Sequence, residues 1–215
     1  MTELYWEAVT PLMRKVMQTV GHSELCPRFY LAGGTALALQ LGHRRSADLD
    51  FFSETDEVHP EMHDQAVRAL KEFRPTIVER VWGNLLLLIE GLRVGFFGYG
   101  YPLVAPSMTA EGVPLASLTD IGLMKMDALA TRASRKDFHD LYAIAQRIPL
   151  RDLLDLAPVK YPSVRDFEAL VVRTMVYFDR ADQEEPLPLL QAVDWATVKA
   201  FFREQAVTLG RGWLE

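Results

Sequence analysis

The chain has 215 residues, a net charge of −6, a hydrophobic fraction of 49% and a charged fraction of 24%. These values predict a soluble globular protein of one domain, or of one domain with a helical appendage. A protein that mainly binds nucleic-acid backbones is usually basic, so the negative net charge disfavours that class of protein. A local RNA-binding patch is still compatible with this charge. The single cysteine, Cys26, excludes an intramolecular disulfide and a zinc knuckle.

The sequence indicates neither a secretion signal nor a membrane span. Its N-terminal segment lacks the basic start and the long apolar stretch of a signal peptide. The longest apolar run, residues 85–89, is far shorter than the roughly 20 residues that cross a bilayer as a helix. We therefore expect a cytoplasmic protein without membrane contact.

The first half of the chain alternates between helix and strand patterns. Apolar residues at helical spacing predict a first helix, in which Pro11 marks a start or a kink. Glycines then end a strand and a helix and supply turns between later strands. In chain order, the predicted elements are a helix at 3–20, a strand at 29–32, a helix at 35–41, a strand at 47–52, a helix at 60–73 and three antiparallel strands at 76–82, 84–90 and 92–97.

The second half is predicted to be helical. Residues 98–117 are irregular and rich in Gly and Pro, and helical patterns follow almost to the end of the chain. The predicted helices are 119–133, 136–147, 163–179 and 194–208. This order predicts an α+β fold with a sheet-based core at residues 1–117. We expect residues 118–215 to form a helical region that packs on the core and completes its site.

The most informative segment for chemistry is GGTALALQLGHRRSADLD at residues 33–50. Residues two apart on a strand point to the same face, so Asp48 and Asp50 direct both carboxylates to one place while Leu49 points into the core. Two carboxylates so close repel each other unless a cation lies between them. Mg²⁺ or Mn²⁺ meets that need and also binds phosphate oxygens. The alternative interpretation of an isolated Asp-x-Asp is a pair of solvent-exposed strand residues without a catalytic role.

The glycine pair at the start of this segment suits a phosphate. Without a Cβ atom the backbone approaches a ligand closely, and the helix that follows directs free N–H groups and its positive dipole end to the same side. A triphosphate held there and bridged to the cation would be placed for nucleotidyl transfer. The two arginines also fit a solvated helix end, and the serine also fits a turn cap. The residues assigned to nucleotide binding are Gly33, Gly34, Thr35, Arg44, Arg45 and Ser46.

A second charged group lies in KMDALATRASRKDFHD at residues 125–140. Lys125 and Arg132 share a helix face, and Asp137 and Asp140 lie one turn apart at the start of the next helix. Such mixtures are commonly surface salt bridges of small energetic value. Beside the first segment, the group also supplies what a nucleotide site needs: cations for phosphate and a carboxylate that orients them.

Together, GGTALAL, GHRRSADLDFF, LMKMDALATR and RKDFHDLYAI resemble the AbiEii/AbiGii-type family of nucleotidyltransferase toxins from bacterial toxin–antitoxin and phage-defence loci. The resemblance covers roughly residues 28–145. It implies a polymerase-β-like nucleotidyltransferase core with a mixed sheet and a helical C-terminal part. It also implies transfer of a nucleoside monophosphate from an NTP to an RNA acceptor, the end of a tRNA in some relatives, or to a protein. A cognate antitoxin is the further partner that it implies.

Carried over by position, the resemblance implies a role for several residues. The glycine pair holds nucleotide phosphates, and Asp48 and Asp50 are the metal ligands. Lys125 matches a lysine that contacts the triphosphate, with Arg132 on the same helix face. Asp137 matches an aspartate that acts in catalysis.

The sequence departs from the pattern at the third carboxylate of polymerase-β-like enzymes. Gly95 stands where this acid is expected, and Glu90 on the preceding strand is either a substitute or a turn residue. Asp137 is another candidate for the base that activates the attacking hydroxyl. The departure leaves two alternatives to an active enzyme: a nucleotide-binding module without catalysis, and a structural or partner-binding protein.

Two further groups of residues have competing interpretations. His59 and His63, with an acid next to His63, fit metal-dependent hydrolysis or the exposed start of a helix. Trp82, Tyr99 and Tyr101 fit stacking against a nucleobase or packing on the sheet.

Overall fold

The computed structural model describes residues 3–55 and 58–211. The chain divides into two compact units, Met1–Ser117 and Leu118–Glu215. Within the described residues, the first unit holds every strand and the second unit is helical. This architecture confirms the predicted α+β class. None of the described helices combines the length and apolarity that would let it cross a membrane.

A seven-stranded mixed sheet forms the centre of the first unit. Its strands are β1 Tyr30–Leu31, β2 Asp48–Ser53, β3 Thr76–Val81, β4 Asn84–Ile89, β5 Leu92–Gly98, β6 Met108–Ala110 and β7 Val113–Leu115. They lie in the order β3-β4-β5-β2-β1-β7-β6. Strand β2 pairs parallel with β5 and antiparallel with β1, so the strand that carries the two acids is the middle one. The antiparallel meander of β3, β4 and β5 confirms the prediction.

Three helices of the first unit, α1 Pro11–Gly21, α2 Gly33–Leu41 and α3 Pro60–Ala69, contact β7, β2 and β3 respectively. Pro11 is the first residue of α1, and the hydroxyl of Thr10 caps this helix by accepting from the backbone N–H of Met13 at 3.2 Å. The predicted helix at 3–20 therefore begins later, because a proline suits the first helical position and disrupts an interior one.

One face of the central strands is buried and the other is partly open. Leu49 and Phe51 of β2 are fully buried, and Phe51 stacks on Phe96 of β5 with ring centroids 5.1 Å apart. The alternate residues of β2 on the opposite face, which include both acids, are half-exposed. The hydrophobic core thus fixes the direction of the acidic side chains.

The second unit consists of α4 Leu118–Thr131, α5 Arg135–Ala145, α6 Leu150–Lys160, α7 Phe167–Thr174, α8 Asp179–Gln183 and α9 Trp195–Arg211. Phe138 of α5 lies at its core, with the rings of Phe178, Trp195 and Phe202 at centroid distances of 5.0–5.7 Å. A fully buried ion pair joins α6 to α4 through Lys160 Nζ and Asp120 Oδ1, which are 2.8 Å apart.

The structure also differs from the sequence-based prediction in three later segments. The segment 98–117 contains β6 and β7, whose three residues each are too few to show an alternating pattern. Helix α6 fills the interval left unassigned between 147 and 163, where Pro158 obscures a helical pattern. The single helix predicted at 163–179 is instead the shorter α7, and α8 follows it.

Candidate active site

The two acids of β2 lie side by side on the half-exposed face of the sheet. Asp48 and Asp50 alternate with the fully buried Leu49 and Phe51, so their side chains leave the sheet in the same direction. This placement agrees with the direction that the alternating pattern predicts. Carboxylate oxygens are the ligands that hard divalent cations prefer.

The glycine turn lies beside the second acid. Gly33 has a left-handed backbone with φ of 64°, and a Cβ atom at this position would lie 3.3 Å from Oδ2 of Asp50. The backbone N–H of Ala32 donates to the main-chain carbonyl of Asp50 at 3.1 Å. Helix α2 therefore begins next to the acids, and its positive dipole end favours an anion there.

Residues predicted to touch the nucleotide also hold this turn together. The hydroxyl of Thr35, which is almost fully buried, donates to the main-chain carbonyl of Asp48 and lies 2.7 Å from Oγ of Ser46. The guanidinium of Arg44 covers Gly34, where a Cβ atom would overlap it, and Nη1 donates to the carbonyl of the next residue at 3.0 Å. A glycine at 34 therefore makes room for this buried arginine.

Among the described residues, Arg45 and Arg93 are exposed cations that lie close to the acids in sequence or in strand register. Arg45 lies in the loop between α2 and β2. Arg93 of β5 is paired in register with Asp48 and shares its face of the sheet. The sequence analysis missed Arg93. Arg93 lies two residues before Gly95, so the sequence indicates that both residues share one face of β5. Only the parallel pairing of β5 with β2 shows that Arg93 lies beside Asp48.

The position of the third carboxylate is occupied by an aromatic ring. Gly95 pairs in register with Asp50, as expected for the strand position of the missing acid. A Cβ atom at Gly95 would overlap the ring of Phe97. Glu90 lies in the exposed turn before β5, with a positive φ of 49°, which fits its interpretation as a turn residue. In residues 3–55 and 58–211, no group of three or more His, Cys, Asp and Glu side chains is arranged to hold a metal ion.

In the second unit, Asp137 is the centre of a buried charge cluster. Its carboxylate accepts from Lys125 Nζ at 3.1 Å and from Arg132 through Nε at 2.7 Å and Nη2 at 2.8 Å. Ser134 Oγ donates to the same carboxylate at 2.5 Å, and Lys125 also pairs with Asp140 Oδ2 at 2.6 Å. The structure thus joins Lys125, Arg132, Asp137 and Asp140 in one network of ion pairs.

The pKa of Asp137 is shifted in this cluster, and the two cations differ strongly in exposure. Burial acts to raise the pKa of Asp137, but the hydrogen bonds from Arg132 and the charge of Lys125 outweigh it and hold this pKa far below its ordinary range. Asp137 therefore stays ionised. The side chain of Lys125 is only 6% exposed, whereas that of Arg132 is 45% exposed and has the better access to an anion in solution.

The histidine hypothesis gains no support from the site geometry. His63 is buried, and its Nδ1 accepts from Arg80 Nε at 3.3 Å. Burial, followed by the charge of Arg80, lowers the pKa of His63. A buried histidine whose Nδ1 already accepts from an arginine is a packed side chain of the α3–β3 contact.

The mixed sheet of the first unit and the helices of the second have the fold of solved structures that are described as nucleotidyltransferases. MenT4, a nucleotidyltransferase toxin from Mycobacterium tuberculosis, superposes with a TM-score of 0.66 at 18% identity, over 93% of this chain and 82% of that one. A protein from H. pylori, provisionally described as a nucleotidyltransferase, gives 0.59 at 19% identity over 95% of both chains.

The family follows from sequence. The family model described as "Nucleotidyl transferase AbiEii toxin, Type IV TA system" matches residues 15–86, which include the glycine turn and both acids. The uncharacterised protein aq_aa25 of Aquifex aeolicus is 33% identical over 202 residues, which span 89% of this chain and 93% of the relative. The chain belongs to the AbiEii family of nucleotidyltransferase enzymes, as the resemblance in the sequence predicts.

Proposed function

We propose that this protein transfers a nucleoside monophosphate from a metal-bound NTP to a hydroxyl group of an RNA, with tRNA among the candidates, or of a protein. The observation that carries the proposal is the closeness of the Gly33 turn to the carboxylate of Asp50, which leaves only 3.3 Å between Oδ2 and the position of a Cβ atom at Gly33, with Asp48 on the same face of β2. In the reaction, the acceptor oxygen would form a bond to the α-phosphorus, the bond between the α-phosphorus and the oxygen that bridges it to the β-phosphorus would break, pyrophosphate would leave, and the hydroxyl proton would pass to water.

The residues present fit a divalent cation. Asp48 and Asp50 supply two half-exposed carboxylates, and the remaining ligands of Mg²⁺ or Mn²⁺ come from phosphate oxygens and water. When bound, such an ion neutralises the triphosphate and lowers the pKa of a coordinated hydroxyl. The two acids hold this charge in place, and the start of α2 orients the phosphates beside it.

Arg45 and Arg93 supply positive charge around the acids. Both side chains are exposed, and Arg93 is the cross-strand neighbour of Asp48. A guanidinium in this position matches the shape and charge of a phosphate group. We assign both arginines to binding of the triphosphate.

Lys125, Arg132 and Asp137 remain predicted participants. Because the pKa of Asp137 is strongly lowered and its oxygens already accept from Lys125, Arg132 and Ser134, this carboxylate is a poor proton acceptor. We therefore propose that Asp137 positions the two cations, of which Arg132 is the more exposed to an anion in solution.

A labelling assay tests the proposal. The purified protein is incubated with each α-³²P-labelled NTP, Mg²⁺ or Mn²⁺, and either total cellular RNA or whole-cell protein. We expect labelling of one acceptor that requires the metal and is lost in Asp48→Asn. A matched variant, Glu79→Gln, removes a carboxylate from the edge strand β3 and should label normally. Equal labelling by wild type and Asp48→Asn would refute the role of the acid pair.

The family also suggests a toxin whose activity a cognate antitoxin restrains, and we include this role in the proposal. Expression of the wild-type chain should then arrest growth, and Asp48→Asn should abolish the arrest. Unimpaired growth with active enzyme in the cell would separate the transferase activity from toxicity.

A nucleotide-binding module without catalysis is the second candidate. Phe97 fills the place of the third carboxylate, and this observation favours a site that binds without turnover. Calorimetry distinguishes the two candidates. Binding of Mg·NTP without labelling of any acceptor would support the module, and labelling would exclude it.

A further inference from the structure

An open groove of about 720 Å³ lies between two helices of the second unit. One wall comes from α7 and the turn that follows it, and the other wall comes from α9. Each wall contains residues four and seven positions apart, which is the spacing of a single helix face. These residues are Ala169, Arg173 and Val176 on one side and Arg203, Val207 and Gly210 on the other. We call this space the α7–α9 groove.

The middle of the groove is apolar and open to solvent. The side chain of Val176 is 46% exposed, that of Val207 is 56% exposed, and Ala169 between the walls is exposed as well. Single apolar residues scattered over a surface need no explanation, but several that line one concave surface indicate a docking site. The described lining residues include no aromatic ring, so a nucleobase finds no face on which to stack.

The charge beside this apolar surface is mainly positive. Arg165, Arg173 and Arg203 line the groove and are exposed, and Asp166 is the one acid among the described lining residues. Within residues 3–55 and 58–211, none of the three arginines forms an ion pair with a carboxylate. The guanidinium carbon of Arg203 lies 5.2 Å from the ring centroid of Phe178, which holds this side chain at the groove.

This charge pattern favours an anionic occupant and disfavours a second copy of the chain. The whole chain has a net charge of −6, so three unpaired cations at one groove are a local departure from its overall charge. A two-fold dimer would bring all three arginines of both copies into one interface, against one lining acid from each copy. Such an excess of like charge is unfavourable, whereas a negatively charged partner would be complementary.

We propose that the α7–α9 groove binds an amphipathic helix of a partner protein, with apolar side chains on one face and Asp or Glu beside them. The apolar face covers Val176 and Val207, and the carboxylates pair with the three arginines. From Arg203 to Gly210, α9 rises about 10 Å, so about two to three turns of the partner helix fill the groove. This inference goes beyond the transferase function, because none of the residues assigned to that function lines the groove.

Designed peptides and the whole chain test the chemistry of the occupant. The probe is a fluorescein-labelled helical peptide of about 18 residues with Leu on one face and Glu on both flanks, and fluorescence anisotropy at low salt measures its affinity. One matched peptide has Lys in place of Glu, and a second has Ser in place of Leu. We expect saturable binding of the acidic amphipathic peptide, and binding at least about tenfold weaker for both matched peptides.

Variants assign this binding to the groove. Arg173→Glu, Arg203→Glu and Val207→Asp should each weaken binding of the acidic peptide by about tenfold or more. Two control variants alter exposed residues of the same unit outside the groove and should bind as wild type. These are Arg147→Glu and Val159→Asp, the latter at a valine that is 60% exposed. Because all five side chains are exposed, we expect urea midpoints close to that of wild type.

Three results would overturn the inference. Equal affinity for the acidic and basic peptides, or equal affinity of wild type and Arg173→Glu, would show that the arginines do not select the partner. Tighter binding of a single-stranded RNA of about ten nucleotides, lost in Arg173→Glu, would identify a nucleic-acid surface instead. A dimer in sedimentation velocity that Val207→Asp converts to a monomer would show that a second copy occupies the groove.

Discussion

Replacement of Gly33 by alanine tests whether the site depends on the close approach of this turn to Asp50. Alanine in the left-handed conformation observed here, with φ of 64°, costs roughly 1–2 kcal/mol. Alanine also reduces the conformational entropy of the unfolded chain, which offsets about 0.4–1 kcal/mol of this cost. The free energy of unfolding should therefore fall by about 1 kcal/mol. The new Cβ atom would also lie 3.3 Å from Oδ2 of Asp50 and force the carboxylate to shift by a few tenths of an ångström.

A second glycine separates the effect on the backbone from the effect on the site. Gly91 also has a positive φ, of 87°, and among the described residues a Cβ atom there meets nothing within 4 Å. Urea unfolding should show a similar loss of stability in Gly33→Ala and Gly91→Ala. Only Gly33→Ala should slow nucleotide transfer, by roughly tenfold, because a small displacement of a metal ligand disturbs the reacting geometry.

The comparison of these two variants can refute the reasoning. If Gly33→Ala and Gly91→Ala bound Mg·NTP and transferred nucleotide at equal rates, the glycine turn would not face the reacting groups. If Gly33→Ala lost no more stability than an exposed surface substitution, the left-handed backbone at this position would be wrong.

Two predictions concern buried charges in the second unit. Lys160→Met removes the cation paired with the fully buried Asp120 and should lower the free energy of unfolding by about 3–5 kcal/mol. The double variant Lys160→Met/Asp120→Leu also removes the unpaired carboxylate and should recover most of this loss. Equal urea midpoints for wild type and both variants would contradict the prediction. Because the pKa of Asp137 is lower in the folded than in the unfolded state, the folded protein binds fewer protons and loses stability as pH falls from about 5. Urea midpoints of Asp137→Asn should depend less on pH over this range than those of wild type, and parallel curves would contradict the assignment.

Local patterns predict much of the first unit. Alternation along β2 predicts the direction of Asp48 and Asp50 because a strand has a period of two and its buried face is apolar. Gly83 and Gly91 predict the hairpin turns of the meander, since both have the positive φ that such turns require. These features depend on neighbours along the chain, so a single sequence contains them.

Short elements could not be predicted in the same way. Strands β6 and β7 have three residues each, and such a length carries no periodic signal. They form because they pair with each other and because Leu115 of β7 pairs with Leu31 of β1. Helix α6 buries Leu150, Leu153, Leu154 and Ala157 on one face, although Pro158 interrupts its pattern.

By itself, the sequence determined the acid pair, the glycine turn and the family, because each is written in residues that lie close together along the chain. Only the tertiary structure decided that β5 pairs with β2. This pairing places Arg93 beside Asp48, and it places Gly95, which the ring of Phe97 covers, beside Asp50. It also decided that Lys160 meets Asp120 across 40 residues of chain. Such neighbours arise from strand register and helix packing, which join distant segments and depend on the whole core.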